Sequence, residues 1–389
     1  MLFNSQVFLI FFVVVYGLYR LLPHRWQNVL LLVSSYFFYG WWDWRFLTLI
    51  FLSTVIDYIA GGIIYSAGPN QRRRKAAVVV SMTSNLVILG FFKYFNFFAD
   101  NLSAVLQYAG LPAFTRHLNI ILPVGISFYT FQAMSYALDI YRGHLKPARS
   151  FLNFATFVAY FPQLVAGPIE RASNLLPQIE NPRTITRAGI ESGAWLIFWG
   201  LFKKCVIADN LAVLVDGVFG ATGATGATSL LALYAFAFQI LCDFSGYSDI
   251  ARGLARWMGV ELMLNFNNPY AALNPKDFWS RWHISLSSWL RDYLYIPLGG
   301  EPERSSPNVH QSCVDDAAGR SLARRGLDIC DLGRFPRLAA GDLSPLGRKV
   351  FTQGHAGFWP VAETAAALDV SSGLRGLVVF PGQFAGAGG

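Results

Sequence analysis

Long apolar blocks, separated by short polar or basic breaks, fill the chain from its start to Gly300. Val7 to Leu22 forms a first block; at about 16 residues it is short for a bilayer and can borrow Phe3 and Gln6. Pro23, His24 and Arg25 make a turn. Asn28 to Trp42 follows, and Trp41, Trp42 and Trp44 mark a membrane–water interface. Phe46 to Ile64 is the third block and carries Asp57. Ala77 to Phe92 returns, with Lys93 to Phe98 as an amphipathic continuation. In Asn119 to Ile140, Pro123 and Gly125 are placed to kink or start a helix. Phe151 to Gly167 is apolar and breaks across Pro162 to Arg171. Gly189 to Ala208 is interrupted late by Phe202, Lys203 and Lys204. Leu230 to Ile240 runs into the polar stretch Cys242 to Gly253. Counted against the roughly 20 residues that cross a bilayer, these blocks predict an all-α polytopic membrane protein with about eight to eleven membrane-embedded helices before Gly300.

The polar interruptions carry the chemistry. A charged group inside a span marks a functional site or a tie to a neighbouring helix, and Asp57 fits the tie better. Arg72 to Lys75 form a basic cluster expected in a cytoplasmic loop, with Arg142 to Arg149 as a second basic loop. Non-helical backbone at membrane depth survives only where protein or a cavity covers it. The break holding Gly167 and Pro168 is therefore either an ordinary loop or a lining of an internal chamber. Asp243, Ser245, Tyr247, Ser248 and Asp249 suit a hydrogen-bonded wall facing a polar cavity. Gly220 to Thr228 is a low-complexity connector; it lacks the lysine and strand–helix context of a phosphate loop.

Composition agrees with the pattern. Hydrophobic residues make up 54% and charged residues 14%, well below the roughly 25% charged of soluble domains, and the mean hydropathy is +0.38. The net charge of +8 flanks apolar spans, which argues for positive-inside loops and against nucleic-acid binding. Cys205, Cys242, Cys313 and Cys330 show no CxxC pair or His/Cys metal spacing, so neither a disulfide framework nor a metal site is expected. The first block lacks a basic leader and an Ala-x-Ala site, and is expected to be retained as a helix.

The densest stretch is Asn265 to Tyr270 followed by Phe278 to Gly300. At helical spacing Trp279, Trp282, Leu286 and Trp289 form one apolar stripe, from which Arg281, His283 and Ser287 fall away. An interfacial aromatic belt with snorkelling arginines accounts for the tryptophans. His283 adds a group able to serve as base, acid or ligand near neutral pH.

Phe278-Trp-Ser-Arg-Trp-His, then Ser285-Leu-Ser-Ser-Trp-Leu-Arg-Asp-Tyr-Leu-Tyr-Ile-Pro-Leu-Gly-Gly300, strongly resembles the membrane-bound O-acyltransferase family, and within it the alginate O-acetyltransferase branch. Further matching runs are Lys93 to Phe98, Ile121 to Gln132, Pro162 to Arg171 and Asp243 to Asp249, so the likeness extends from Met1 to Gly300. It implies a helical bundle around a buried chamber. Residues 1–300 would be the acyltransferase domain, in the multi-pass setting of a bacterial inner membrane. The reaction implied is transfer of an acetyl group from a cytoplasmic thioester such as acetyl-CoA toward hydroxyls of an exported polysaccharide, with no bound cofactor. Membrane lipid, the polysaccharide and a periplasmic acetyl-transfer protein are the implied partners. The match makes His283 a catalytic residue concerned with donor positioning or polarisation. Arg281, Arg291 and Asp292 shape the site, Asn267 and Asn268 neighbour it, and Asp243, Gly167 and Pro168 line the chamber. The resemblance leaves alginate, cellulose, other exported glycans and a teichoic-acid-type acceptor open. Two other functions share these features: a non-catalytic subunit of a polysaccharide-secretion complex, and a transporter using Asp57, Asp243 and Asp249, although no inverted repeat is visible.

After Gly300 the character changes. Residues 301–348 are rich in Arg, Asp, Ser, Pro and Gly without amphipathic period, as in a solvated tail, and the family's second histidine, in Leu-Trp-His-Gly, is absent. Read one base out of register with ordinary codons, Val314 to Gly333 can encode Ser-Met-Met-Leu-Leu-Gly-Gly-Leu-Trp-His-Gly-Ala-Ala-Trp-Thr-Phe-Val-Ile-Trp-Gly. We read this as a one-base frameshift at or just after Gly300, with the displaced histidine encoded across Ala323 and Arg324. Residues 301–389 are then an aberrant tail, of which 301–348 are expected to be irregular with few contacts to the helical body and the frame beyond Lys349 is left open; the alternative is a real, divergent soluble tail.

Overall fold

The structure is a computed structural model that describes residues 1–110, 118, 120–165, 167–221 and 225–300. Residues 301–389, on which the frameshift reading, its displaced histidine, Cys313 and Cys330 fall, lie outside the described residues. Every element among the described residues is helical, as the apolar blocks require.

The described residues fall into two compact units, Met1–Ile207 with Leu241–Asn265, and Ala208–Ile240 with the residues from Phe266 onward. The first unit begins with α1 (Gln6–Leu21) and α2 (His24–Gly40). Helix α3 (Leu47–Ser66) packs against α4 (Gln71–Tyr108) and α5 (Ile126–Arg142), and α2 packs against α6 (Phe151–Ala159). Three short or medium helices follow: α7 (Phe161–Leu164), α8 (Ala172–Glu180) and α9 (Arg187–Leu201). In the second unit lie α10 (Asp209–Phe219), α12 (Pro275–Arg281) and α13 (Ile284–Leu290). Helix α11 (Gly226–Trp257) contributes its first half to the second unit and its second half to the first.

Trp44–Ser66, Gln71–Tyr108 and Gly226–Trp257 are long and apolar enough to cross a membrane, and Gln6–Leu21 is a shorter apolar helix. Two boundaries differ from the sequence reading. Arg72 to Lys75 lie in the first turn of α4, not in a loop. The Asn70 side chain accepts the Arg73 N–H at 3.1 Å, and this cap lets the helix start before the charges end. Lys93 to Phe98 continues the preceding block as expected, but the helix does not end there: α4 runs on to Tyr108, since no proline or capping residue stops it. The break predicted across Pro162 to Arg171 is present in part: Tyr160 interrupts the helix earlier, Pro162 lies in the short α7, and the described chain is irregular at Val165 and from Gly167 to Arg171. Gly125, at φ 74°, turns the chain into α5 where the Pro123–Gly125 pair predicted a start.

Inside the first unit a buried carboxylate links two helices. Asp57 on α3 is fully buried. Its Oδ1 accepts from Ser81 Oγ at 2.5 Å and Asn85 Nδ2 at 3.0 Å, and its Oδ2 from Asn85 Nδ2 at 2.9 Å. The partners sit on α4, so Asp57 is the tie between helices that the sequence favoured. Helices α9 and α11 meet through glycines seven residues apart. A Cβ on Gly200 would lie 2.6 Å from the Gly246 carbonyl oxygen, and one on Gly253 2.6 Å from that of Gly193. Small residues let membrane helices bring their backbones this close.

Candidate functional site

The motif that dominates the sequence is built in the second unit. Asn274 opens α12 by accepting the Asp277 N–H at 2.9 Å, with Pro275 at the first helical position. The helix stops after Arg281 because Trp282 turns extended and His283 adopts the left-handed conformation, φ 42°. A new helix starts immediately: Ser287 N–H donates to the His283 carbonyl at 3.0 Å, and Ser287 Oγ donates to the Trp282 carbonyl at 3.1 Å. The single stripe expected from Trp279 to Trp289 is therefore split at its centre. His283 does not fall away from the apolar face; it is buried, with 2% exposure. Local hydrogen bonding by the serine outweighs helix continuity here.

Aromatic rings enclose the break. The Trp282 ring lies 5.6 Å from Phe278 at 16° and 5.1 Å from Phe266 at 88°. The His283 ring is 6.3 Å from Phe266, and its Nδ1 is 3.3 Å from Ser285 Oγ. Trp282 is thus a packing centre and not an interfacial belt residue. Tyr270 stacks near the same tryptophan and donates its hydroxyl to the Ala237 carbonyl at 2.7 Å on α11.

The neighbouring predicted residues are spread around this nest. Asn267 donates its N–H to the Arg281 carbonyl at 2.9 Å, and Asn268 is left-handed at φ 46°. Both asparagine side chains are exposed. Asn268 and His283 are the two non-glycine residues with positive φ among the described residues. Such conformations cluster at functional sites because surrounding contacts must hold them. Arg281 Nε donates to Asp277 Oδ1 at 2.7 Å, which holds the Asp277 carboxyl below its ordinary range, with the Leu273 N–H assisting. Arg291 pairs with Asp292 at 2.8 Å inside a wide π turn, Arg291–Tyr295.

The other predicted residues belong to the first unit. Gly167 and Pro168 are buried in the break before α8. Asp243 pairs with Lys204 at 2.5 Å, and Asp249 with Lys203, which also donates to Ser245 Oγ at 3.1 Å. The two lysines sit on a second π turn, Phe202–Ala208, that follows α9. The wall inferred on α11 is therefore a set of ion pairs. Its cationic half was missed although a signal was present: two lysines ending an apolar helix need anionic partners. Among the described residues no group of three His, Cys, Asp or Glu gathers in a metal-holding cluster.

The family model described as "MBOAT, membrane-bound O-acyltransferase family" matches residues 36–312. The chain belongs to this family. A probable alginate O-acetylase, AlgI, of Pseudomonas aeruginosa is 44% identical over 301 residues, covering 77% of this chain and 58% of the relative. A peptidoglycan O-acetyltransferase of Helicobacter pylori is 36% identical over 337 residues, covering 77% of this chain and 62% of the relative. A teichoic acid D-alanyltransferase of Bacillus subtilis is 30% identical over 181 residues, 46% of each chain. The chain thus spans about three fifths of the length of the alginate O-acetylases it matches, and the 77% share of this chain equals in length residues 1–300.

Proposed function

We propose that this membrane protein is the O-acyltransferase of a bacterial inner membrane that moves acetyl groups from a cytoplasmic thioester, acetyl-CoA or a related donor, to hydroxyls of an exported polysaccharide. The observation that carries the reading is the buried His283 in its left-handed break, set within the family motif. The relatives' names concern acyl transfer to alginate, peptidoglycan or teichoic acid, all polymers outside the cytoplasmic membrane. The basic first turn of α4 faces the cytoplasm in this arrangement, and a periplasmic protein receives or relays the acetyl group.

Acyl transfer to a hydroxyl needs a base for the hydroxyl proton and donors for the oxyanion of the tetrahedral intermediate. The acceptor oxygen bonds to the acyl carbon, the carbon–sulfur bond breaks, and the thiolate leaves to take up a proton. In our reading His283 positions or polarises the donor carbonyl, and the base is the histidine displaced at Ala323 and Arg324. Arg281, Arg291 and Asp292 hold the surroundings of His283, with Asn267 and Asn268 beside it and Asp243, Gly167 and Pro168 lining the chamber.

The test compares the chain as written with a version restored by one base after Gly300. Membranes holding each are given labelled acetyl-CoA and a deacetylated polysaccharide. Transfer is expected from the restored protein alone, since loss of a general base lowers such rates by about 10² to 10⁴. Equal transfer by the chain as written would defeat the assignment of the base. Absence of transfer from both, with a secretion complex still assembled, would favour the non-catalytic subunit, and ion-coupled uptake would favour a transporter.

A further inference from the structure

Between α11 and the motif the chain runs extended, and no strand among the described residues pairs with it. Val260, Leu262 and Asn265 are buried along this run, so its backbone donors and acceptors must find partners other than water. Side chains supply them. Gln178 on α8 acts as a backbone would: its Oε1 accepts the Glu261 N–H at 2.8 Å and its Nε2 donates to the Glu261 carbonyl at 3.0 Å. Two residues on, Glu170 Oε1 accepts the Met263 N–H at 2.5 Å. Two residues further, Asn265 Nδ2 donates to Ser248 Oγ at 3.3 Å. The backbone ties at Glu261 and Met263 have the alternate spacing of a β ladder, with side chains as the neighbouring strand, whereas at Asn265 it is the side chain that bonds.

Glu170 is 1% exposed and sits in the irregular break after α7. Its other oxygen accepts from Asn174 Nδ2 at 2.7 Å, so the carboxyl is fixed at both ends. The buried face of α8, Leu175, Leu176 and Ile179, anchors that helix without it. Removing the carboxyl therefore frees the Met263 N–H while leaving α8 seated. The run Asn265 to Asn268 begins two residues after Met263 and leads the chain on toward His283.

We propose that Glu170 is a positioning residue for acyl transfer: by holding the Met263 N–H it fixes the extended segment that delivers the motif of His283. The proposal rests on the acyl-transfer reading, and the test separates the two. Glu170→Ala and Glu170→Gln are made in the frame-restored full chain. Glutamine keeps an amide oxygen for Met263, whereas alanine keeps nothing. Alanine is expected to lower kcat about 10- to 100-fold, in line with a displacement of about 1 Å at a reacting group, with little change in KM for the donor or in abundance. Glutamine is expected to restore most of kcat. Hydrogen exchange, read in a peptide covering residues 262–268, is expected to be faster in the alanine variant and native in the glutamine one.

An alanine variant with unchanged kcat, or unchanged exchange, would overturn the role. So would a glutamine variant as slow as alanine, which would mean that the charge and not the tie is needed. If the restored wild type transfers nothing, the acyl-transfer reading falls, and the exchange measurement still decides whether Glu170 holds the segment.

Discussion

The backbone N–H of Asn267 donates to the carbonyl of Arg281 at 2.9 Å. This one bond ties the turn that enters the motif to the last residue of α12, one residue before the chain bends at Trp282. The two left-handed residues, Asn268 and His283, each lie next to a member or near-member of this pair, so both ends of the bent segment are held by a single backbone link.

Asparagine tolerates the left-handed conformation better than most residues. His283→Asn in the frame-restored protein should therefore fold and lose only the imidazole. Acyl transfer is expected to fall by about 10² or more while abundance in the membrane stays near wild type. Wild-type transfer rates in purified His283→Asn would reduce His283 to a packing residue.

Asp57 is a structural tie between α3 and α4. Asp57→Leu leaves Ser81 and Asn85 with unmet hydrogen bonds on α4, a loss on the order of 1 to 3 kcal/mol for each buried group left unsatisfied. Thermal unfolding in detergent should shift down by several degrees, with transfer per folded molecule unchanged. A variant with native stability and no transfer would move Asp57 into the chemistry.

The glycine seam between α9 and α11 leaves no room for a side chain. Gly200→Val should prevent the two helices from closing and sharply reduce folded protein in the membrane. Gly62→Ala, where nothing lies within 4 Å of the added carbon, should be neutral. Equal yields of the two variants, measured by fluorescence-detected gel filtration, would contradict the close approach.

Arg281 holds the carboxyl of Asp277 below its ordinary range. A depressed carboxyl pKa stabilises the folded form above the unfolded pKa, and that gain is lost as the pH falls through the folded value. Amide exchange across residues 273–282, corrected for its intrinsic pH dependence, should therefore be flat above about pH 4, the ordinary carboxylate value, and rise on acidification below it. Asp277→Asn should exchange faster at neutral pH and lose that acid dependence. A rise confined to the alkaline side would reverse the sign and exclude the pair as its cause.

Much of this was legible from residue order because period and composition act locally. The apolar blocks gave α1, α2 and α3 within a few residues, whereas α4 runs on from the expected Phe92 to Tyr108 and α6 stops at Ala159, short of Gly167; the Pro123–Gly125 start of α5 follows from backbone sterics alone. The membrane family was legible from the Phe278 to Gly300 motif. The break at His283 was not, because helical spacing of Trp279, Trp282, Leu286 and Trp289 is equally satisfied by one helix or two. Only the tertiary nest of Phe266, Tyr270 and Phe278 around Trp282, together with the bond from Ser287 Oγ to the Trp282 carbonyl, makes two helices the better solution. Lys203 and Lys204 were read as an interruption since their partners lie some 40 residues away on α11. Glu170 was not singled out within the Pro162 to Arg171 break, because the partner that matters is the Met263 backbone N–H, which no side-chain pattern reveals.

The π turn at Phe202–Ala208 imposes a constraint of a different kind. A π turn fits one residue more into its circumference than an ordinary helical turn, and each helical residue advances the chain by about 100° around the axis. Deleting one residue within Phe202–Ala208 would therefore let the turn relax to ordinary helix with the faces on its two sides still in phase, whereas the same deletion in the middle of a regular helix would rotate them against each other by about that angle. The extra residue is thus absorbed inside the turn, and the count that sets helical phase is that of the residues outside it.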